Sequence, residues 1–310
     1  MRSAGALILL SLALLAAAPS ASASRYRVGI GEQDPTMFAD PAFQSLGIKR
    51  ARYITAWDWR RNPVELNAFI GAARLSGVRP LIHFSSSASC YDGKRYSKIK
   101  RCRLPSPKAY AASIRAFRKA YPFIRDFGAW NEANHKSQAT YRAPKRAAQY
   151  YNALRKACRT CTIVAADLLD DTNILPYTRR FRRFAKGNPK LWGLHNYYDV
   201  NRRRTSGTQR FLRTVPGEVW LTETGGIVNL TGAYRYSLTR AKARLGFMFS
   251  LADRFSRKRR GQRSRITRIY PYAWKGEARG ARFDAGLVGP DGAPRPGYGL
   301  FRAKLKSRSR

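Results

Sequence analysis

The chain has 310 residues, with 60 Lys and Arg against 18 Asp and Glu, a formal net charge of +42. Hydrophobic residues make up 44% and aromatics 12%, enough for a packed core and too much for a charge-swollen disordered chain. The length admits two small domains or one α/β barrel of about 250 residues; the charge alone speaks to solubility and non-specific attraction for polyanions.

The first segment, Met1–Ala23, reads as a secretory signal. Arg2 gives a positive start, Ala4 to Ala18 is small and apolar apart from Ser11, and Ala21-Ser22-Ala23 is a small-x-small cleavage site. The alternative, an uncleaved anchor, has an apolar run too short for a comfortable span, and no later stretch is long and apolar enough to cross a bilayer. The rest, residues 24–310, contains no linker that would divide it and is expected to be one domain in a secreted or envelope-associated monomer.

Short apolar runs then alternate with amphipathic stretches. A strand is expected at Tyr26–Gly31, a weak helix at Met37–Leu46, a second strand at Ala51–Ala56 and a helix at Pro63–Leu75. The third strand, Arg79–Ser85, leads into a long basic loop, Ser86–Pro105, that carries Cys90 and Cys102. Ser106–Tyr121 opens with a cap residue followed by Pro, a helix start. Strand four, Asp126–Asn131, precedes a helix at Tyr141–Ala157. Cys158 and Cys161 follow, then strand five at Thr162–Ala166, a helix at Leu175–Ala185 and strand six at Leu191–Tyr197. A short helix at Thr208–Arg213, strand seven at Val219–Thr222, a helix at Tyr236–Phe255, strand eight at Ile266–Ala273 and a last helix near Tyr298–Leu305 complete the set, with a frayed basic tail from Lys304 to Arg310. Eight strands alternating with about eight helices, at about 36 residues per unit, fit an α/β fold of the (β/α)8 TIM barrel type; a doubly wound sheet shares the alternation.

Four cysteines in an exported chain imply two disulfides in one of three connectivities. Cys158-Arg-Thr-Cys161 lacks the strand-before, helix-after setting of a redox motif and reads as a structural bridge. With only His83, His135 and His195 present and no HExxH, neither a metal site nor another cofactor is expected.

Carboxylates are scarce. Of six Glu, two stand at C-terminal strand ends: Glu132 in Trp130-Asn131-Glu132-Ala133-Asn134 after strand four, and Glu223 in Leu221-Thr222-Glu223-Thr224-Gly225-Gly226 after strand seven. A barrel carries its active site at those ends. Both segments resemble the retaining TIM-barrel glycoside hydrolases of clan A, which include the cellulase-like family 5 and family 39. The likeness extends over most of residues 24–310: Arg52 in Ala51-Arg52-Tyr53 on strand two, His195-Asn196-Tyr197 on strand six, Trp274 after strand eight, and the closing Gly286–Gly292 segment with Pro294-Arg295-Pro296.

The resemblance implies Glu223 as nucleophile and Glu132 as acid/base in hydrolysis of a β-linked oligo- or polysaccharide. Such chemistry needs two carboxyl groups about 5–5.5 Å apart. By the same likeness Arg52 holds Glu223 ionised, and Glu223 raises the pKa of Glu132. Asn131 contacts the sugar 2-hydroxyl, Tyr197 donates to Glu223, His83 and His195 line the cleft floor, and Trp274 stacks under a sugar. Strict alternation puts Asn131 and Glu132 on opposite faces, so both reach the cleft only if the strand ends in a turn or bulge. Read without the likeness, His83 is a core histidine, Trp57 and Asp58 either contact substrate or cap the following helix, and Trp130 packs.

Two other classes compete. A carbohydrate-binding pseudoenzyme would keep the barrel and lose turnover. A polyanion binder would use the charge, yet the basic residues are scattered over helices and loops with no nucleic-acid-binding motif. The charge is expected to be a surface property that holds the protein on anionic envelopes or glycans.

Overall fold

The structure is a computed structural model that describes residues 26–87, 90, 97–99 and 102–309. The expected signal segment and much of the basic loop between Cys90 and Cys102 lie outside these residues.

Parallel strands succeed one another in chain order around a ring. They are β1 (Arg27–Val28, resuming as Ile30–Gly31), β2 (Arg50–Ala56), β3 (Arg79–Ser85), β4 (Asp126–Gly128), β5 (Thr162–Val164, resuming as Asp167–Leu169), β6 (Leu191–His195), β7 (Gly217–Thr224) and β8 (Ser264–Pro271). Two strands change partner halfway along. The first half of β1 pairs with β8 (Val28↔Ile269) and its second half with β2 (Ile30↔Ala51). Likewise β5 pairs first with β4 (Phe127↔Ile163) and then with β6 (Leu168↔Leu194). The ladder therefore passes through all eight strands and returns to its start, a (β/α)8 barrel rather than an open doubly wound sheet.

Helices α1 (Pro41–Gln44), α2 (Val64–Leu75), α3 (Pro107–Ala120), α4 (Pro144–Ala157), α5 (Ile174–Phe184), α6 (Tyr197–Asn201), α7 (Ser206–Thr214), α8 (Leu238–Phe255) and α9 (Pro296–Ser309) form the outer layer. In α3, Ser106 Oγ accepts from Ala109 N at 3.1 Å, and Tyr110, Ile114 and Phe117 recur every three or four residues on the buried face.

The barrel interior has two unlike layers. The lower one is Leu81, Val164, Trp220 and Tyr270, with the buried pair Arg268–Asp126 at 2.7 Å and the Arg268 guanidinium 3.5 Å from the Trp220 ring centroid. The upper one is polar: Arg52, His83, Asp167, His195 and Thr222, each 0% exposed. Glycines make room for it. A Cβ on Gly128 would lie 1.5 Å from the His83 ring, and one on Gly193 2.1 Å from Asp167 Oδ1.

Several expected boundaries shift. Met37–Leu46 is a 3-10 turn (Pro35–Ala39) followed by α1, because Asp40 caps a new start at Pro41 and accepts from Ala42 N at 2.8 Å. Strand six ends at His195: the Asp170 carboxylate accepts from Tyr198 N (3.1 Å) and Asp199 N (3.0 Å), so Tyr197 opens α6 instead of extending the strand. The expected frayed tail is the last turns of α9, where Arg308 donates to Asp253 and lies 4.5 Å from the Tyr26 ring centroid. Of the three connectivities, the structure has Cys90–Cys102 and Cys158–Cys161. No helix among the described residues is long and apolar enough to cross a membrane.

Candidate active site

The C-terminal end of the barrel holds a cleft of about 820 Å³ lined by Asn131, Glu132, Tyr197, Glu223 and Tyr272 among others. Both glutamates reach it through a local break in strand geometry. After β4 the chain bends, and Glu132 adopts φ 44°, a left-handed conformation that few non-glycine residues take outside constrained sites. That bend brings Asn131 and Glu132 to the same side, as the sequence required.

Glu223 depends on a bulge. Gly193 of β6 pairs with Trp220, but His195 pairs with Glu223. Two residues on β6 thus match three on β7, and β8 shows the same excess, with Ile269 opposite Leu221 and Pro271 opposite Thr224. The extra residue lets Thr222 and Glu223 both face inward.

Beneath the glutamates, Arg52 is fully buried and every branch of its guanidinium is used. It donates to Glu223 Oε2 at 2.8 Å, to Asn131 Oδ1 at 2.5 Å, to Asp167 Oδ2 at 3.0 Å and from Nε to His83 Nδ1 at 2.7 Å. Tyr197 Oη donates to Glu223 Oε1 at 3.1 Å. Glu223 is thus held on both oxygens, by a charge-assisted bond from the guanidinium and by the tyrosine hydroxyl.

Glu132 is held differently. Its Oε1 lies 3.1 Å from His195 Nδ1, and its Oε2 lies 3.6 Å from His135 Nδ1. On the other side of the ring, His195 Nε2 lies 2.9 Å from Asp167 Oδ2. Burial works against a charge on His195, but Asp167, Glu223 and the hydrogen bonds to Asp167 and Glu132 outweigh it and push its pKa up to about 10. Burial would raise Glu132; the hydrogen bond and charge of His195, with His135, bring it below its ordinary value instead. The expected upward push from Glu223 is therefore overridden, because a protonated imidazole stands between the two carboxylates. His195 Nδ1 faces Glu132 Oε1 at 3.1 Å, within reach of a shared proton.

Asp167 is the hub that the sequence reading missed. Buried without exposure, it contacts Arg52, His83 (2.9 Å) and His195, and accepts from Thr222 Oγ1. Burial opposes its charge, but His195, His83 and Arg52 hold it well below the usual carboxylate range.

The other expected site residues divide. His83 is fully buried under Arg52, where desolvation pushes its pKa down to about 4 against the pull of Asp167; as a neutral ring it accepts the Arg52 Nε–H and does not line the cleft. His195 likewise touches Glu132 rather than open space. Trp274 is a correction: it is 2% exposed, packs edge-on against Phe43 and Tyr298, and donates Nε1 to Asp40 at 2.9 Å. It cannot present a face to a sugar. Tyr272 lines the cleft in its place, stacked 6.2 Å from Phe283. Trp57 is half-buried against the core outside this cleft. Asp58 binds Arg61 and Ser87, and its helix role is at the entry to a 3-10 turn with no side-chain cap bond.

The nearest ligand atoms of Glu132, His195 and Glu223 all lie within 4.8 Å of one another. That spacing is one that three ligand atoms around a cation adopt, and Arg52 already pairs with Glu223 at 2.8 Å.

The sequence matches no family model and no curated protein. Among solved structures, it is similar to the exo-β-1,4-mannosidase Op5Man5 from Opitutaceae bacterium strain TAV5 (TM-score 0.63, 15% identity, 91% of this chain and 59% of that one). It is also similar to GH5_18 from Streptomyces cattleya in complex with GlcNAc (0.62, 15%, 93% and 81%). A family 39 glycoside hydrolase from Bacteroides cellulosilyticus WH2 gives 0.56 at 16% identity, covering 91% and 64%. The chain thus spans less than two thirds of the length of two of these three. At 15–16% identity these likenesses show a shared (β/α)8-barrel fold.

Proposed function

We propose that the protein is a retaining β-glycosidase that cleaves O-glycosidic bonds of a β-linked oligo- or polysaccharide, with Glu223 as nucleophile and Glu132 as acid/base. The observation that carries this reading is the spacing of the two glutamates. Their nearest oxygens are within 4.8 Å, whereas an inverting pair stands about 6.5–9.5 Å apart to admit water. The fold likeness supports a glycosidase; the two roles follow the resemblance of the Asn131-Glu132 and Glu223-Thr224-Gly225 segments, and the contacts of Arg52 and Tyr197 with Glu223 are in keeping with it.

In the first half-reaction Glu223 attacks the anomeric carbon while Glu132 delivers a proton to the departing oxygen. The pair Glu132–His195 supplies that proton from His195 Nδ1, leaving the imidazole neutral. Once Glu223 is esterified its charge is gone, and with it one of the groups that keeps His195 protonated. Glu132 then takes a proton from water as water attacks the glycosyl ester, and passes it back to His195. Protons balance over the cycle. Arg52 and Tyr197 keep Glu223 aimed, Asn131 is placed for a neighbouring hydroxyl, and Tyr272 with Phe283 offers an apolar surface to a sugar face. The two disulfides and the N-terminal segment support action outside the cytoplasm.

The test is hydrolysis of an aryl β-glycoside and polysaccharide panel by the parent and by Glu223→Gln. Release of reducing ends by the parent and a loss of at least about a thousandfold in Glu223→Gln are expected. A parent inert on every panel member contradicts an enzyme and favours a carbohydrate-binding protein on the same barrel; a loss of only a few-fold removes Glu223 from the nucleophile role.

A further inference from the structure

Arg202 stands in the same cleft as Glu132 and Glu223. It caps the C-terminal end of α6, whose first residue, Tyr197, donates to Glu223. A helix of 5 residues therefore connects the nucleophile's partner to this cation. The guanidinium lies 4.9 Å from the ring centroid of Tyr198, a cation–π contact that restricts the side chain without neutralising it.

No carboxylate among the described residues lies within 4.0 Å of Arg202. The acids nearby are committed. Glu223 is held by Arg52 and Tyr197, and Glu132 by His195. Asp199 accepts from Gly207 N and Thr208 N at the start of α7. Asp170 accepts from the amides of Tyr198 and Asp199, and Asp171 from Thr172. Two other cations at this end of the barrel, Lys275 and Arg61, have acids of their own in Asp34 and Asp58. Bulk surface charge does not single out this position either: Arg203 and Arg204 are equally exposed and continue the same loop, but do not line the cleft.

We propose that the substrate carries an anionic substituent, a uronate carboxylate or a sulfate ester, and that Arg202 is the residue that selects it; the proposal rests on the glycosidase reading of the cleft. A planar guanidinium with its donors uncommitted matches the two oxygens of such a group in a fork that a neutral sugar cannot use. Glu132 and Glu223 would repel an acidic sugar, and Arg202 in the cleft wall offsets that repulsion at one subsite.

Binding is measured by calorimetry on Glu223→Gln, so that turnover is not needed. The probes are cello- and manno-tetraose, the corresponding tetra-uronates, and cello-tetraose sulfated at the 6-hydroxyls. At least one anionic probe should bind about tenfold or more tightly than its neutral parent. Adding Arg202→Gln should erase that preference, while adding Arg204→Gln, which removes the same charge outside the cleft, should keep it. The series in which the preference appears distinguishes carboxylate from sulfate. Equal affinities, no measurable binding, or the same loss in both arginine variants overturns the proposal. Equal affinities for neutral and anionic probes in a protein whose parent hydrolyses aryl glycosides would overturn it while leaving the glycosidase reading intact.

Discussion

Replacing Asp167 by Asn keeps the shape of the hub and removes its charge. In the parent, His195 has a pKa of about 10 in the folded chain against about 6.5 unfolded. A folded pKa above the unfolded one stabilises the fold fully below pH 6.5, and that contribution is lost as pH rises from 6.5 toward 10. The difference corresponds to an upper bound of ~5 kcal/mol. His83, pushed down to about 4, and Asp170, pushed up to about 7, titrate at or below the lower edge of this window, so melting between pH 7 and 10 reads mainly His195 among the shifted groups. Asp167→Asn takes away the foremost charge that holds His195 up and leaves Arg52 and His195 facing a neutral amide. Removing one partner of a buried ion pair costs about 3–5 kcal/mol, which for a domain of this size is a Tm decrease on the order of 10 °C at pH 7. The assay is thermal melting followed by circular dichroism at half-unit pH steps. The parent should lose Tm from pH 7 to 10, and the variant should start lower and lose much less over that range. A variant within about 2 °C of the parent at pH 7, with an unchanged pH slope, refutes the account of Asp167 as the group that sustains the His195 charge.

Three further outcomes follow from the geometry. Glu132→Ala should slow substrates with poor leaving groups by a factor of about a hundred or more, yet spare aryl glycosides with acidic leaving groups; equal losses on both would take Glu132 out of the acid role. Tyr272→Ala should raise KM with little change in Tm, because Tyr272 lines the cleft. Trp274→Ala should do the opposite, lowering stability by about 3–5 kcal/mol through the loss of a buried indole. A KM effect confined to Trp274→Ala would restore it as the sugar platform.

How far the site could be read from sequence differs by residue. Glu132 and Glu223 stood out because glutamates are few and these two end strands four and seven. Arg52 and Tyr197 came with them, and both contact Glu223. Asp167 did not, because strand five was expected to stop at Ala166, and an acid followed by Leu-Leu-Asp-Asp reads as the start of a loop. A physical signal was present: a buried arginine with a histidine beside it needs a counter-charge, and Asp167 continues the apolar run Ile163–Ala166. The choice of Trp274 over Tyr272 failed for a related reason. On β8 the even-numbered residues face the barrel interior, from Arg268 through Tyr270, so the next in the series, Tyr272, reaches the cleft while Trp274 has already left the strand. The bulge at Thr222–Glu223 and the left-handed turn at Glu132 carry no composition signal; they show themselves only when alternation and function disagree about which face a residue takes. Disulfide pairing was also undetermined, since it depends on which loop ends meet.

Early-time proton NMR of the anomeric configuration of the first hydrolysis product, on whichever β-glycoside the protein turns over fastest, tests the central claim most directly. A pair of carboxylates this close, one attacking and one exchanging protons, predicts that the β-anomer appears first and mutarotates later. Initial appearance of the α-anomer would contradict the double-displacement account and reassign Glu223 from nucleophile to base.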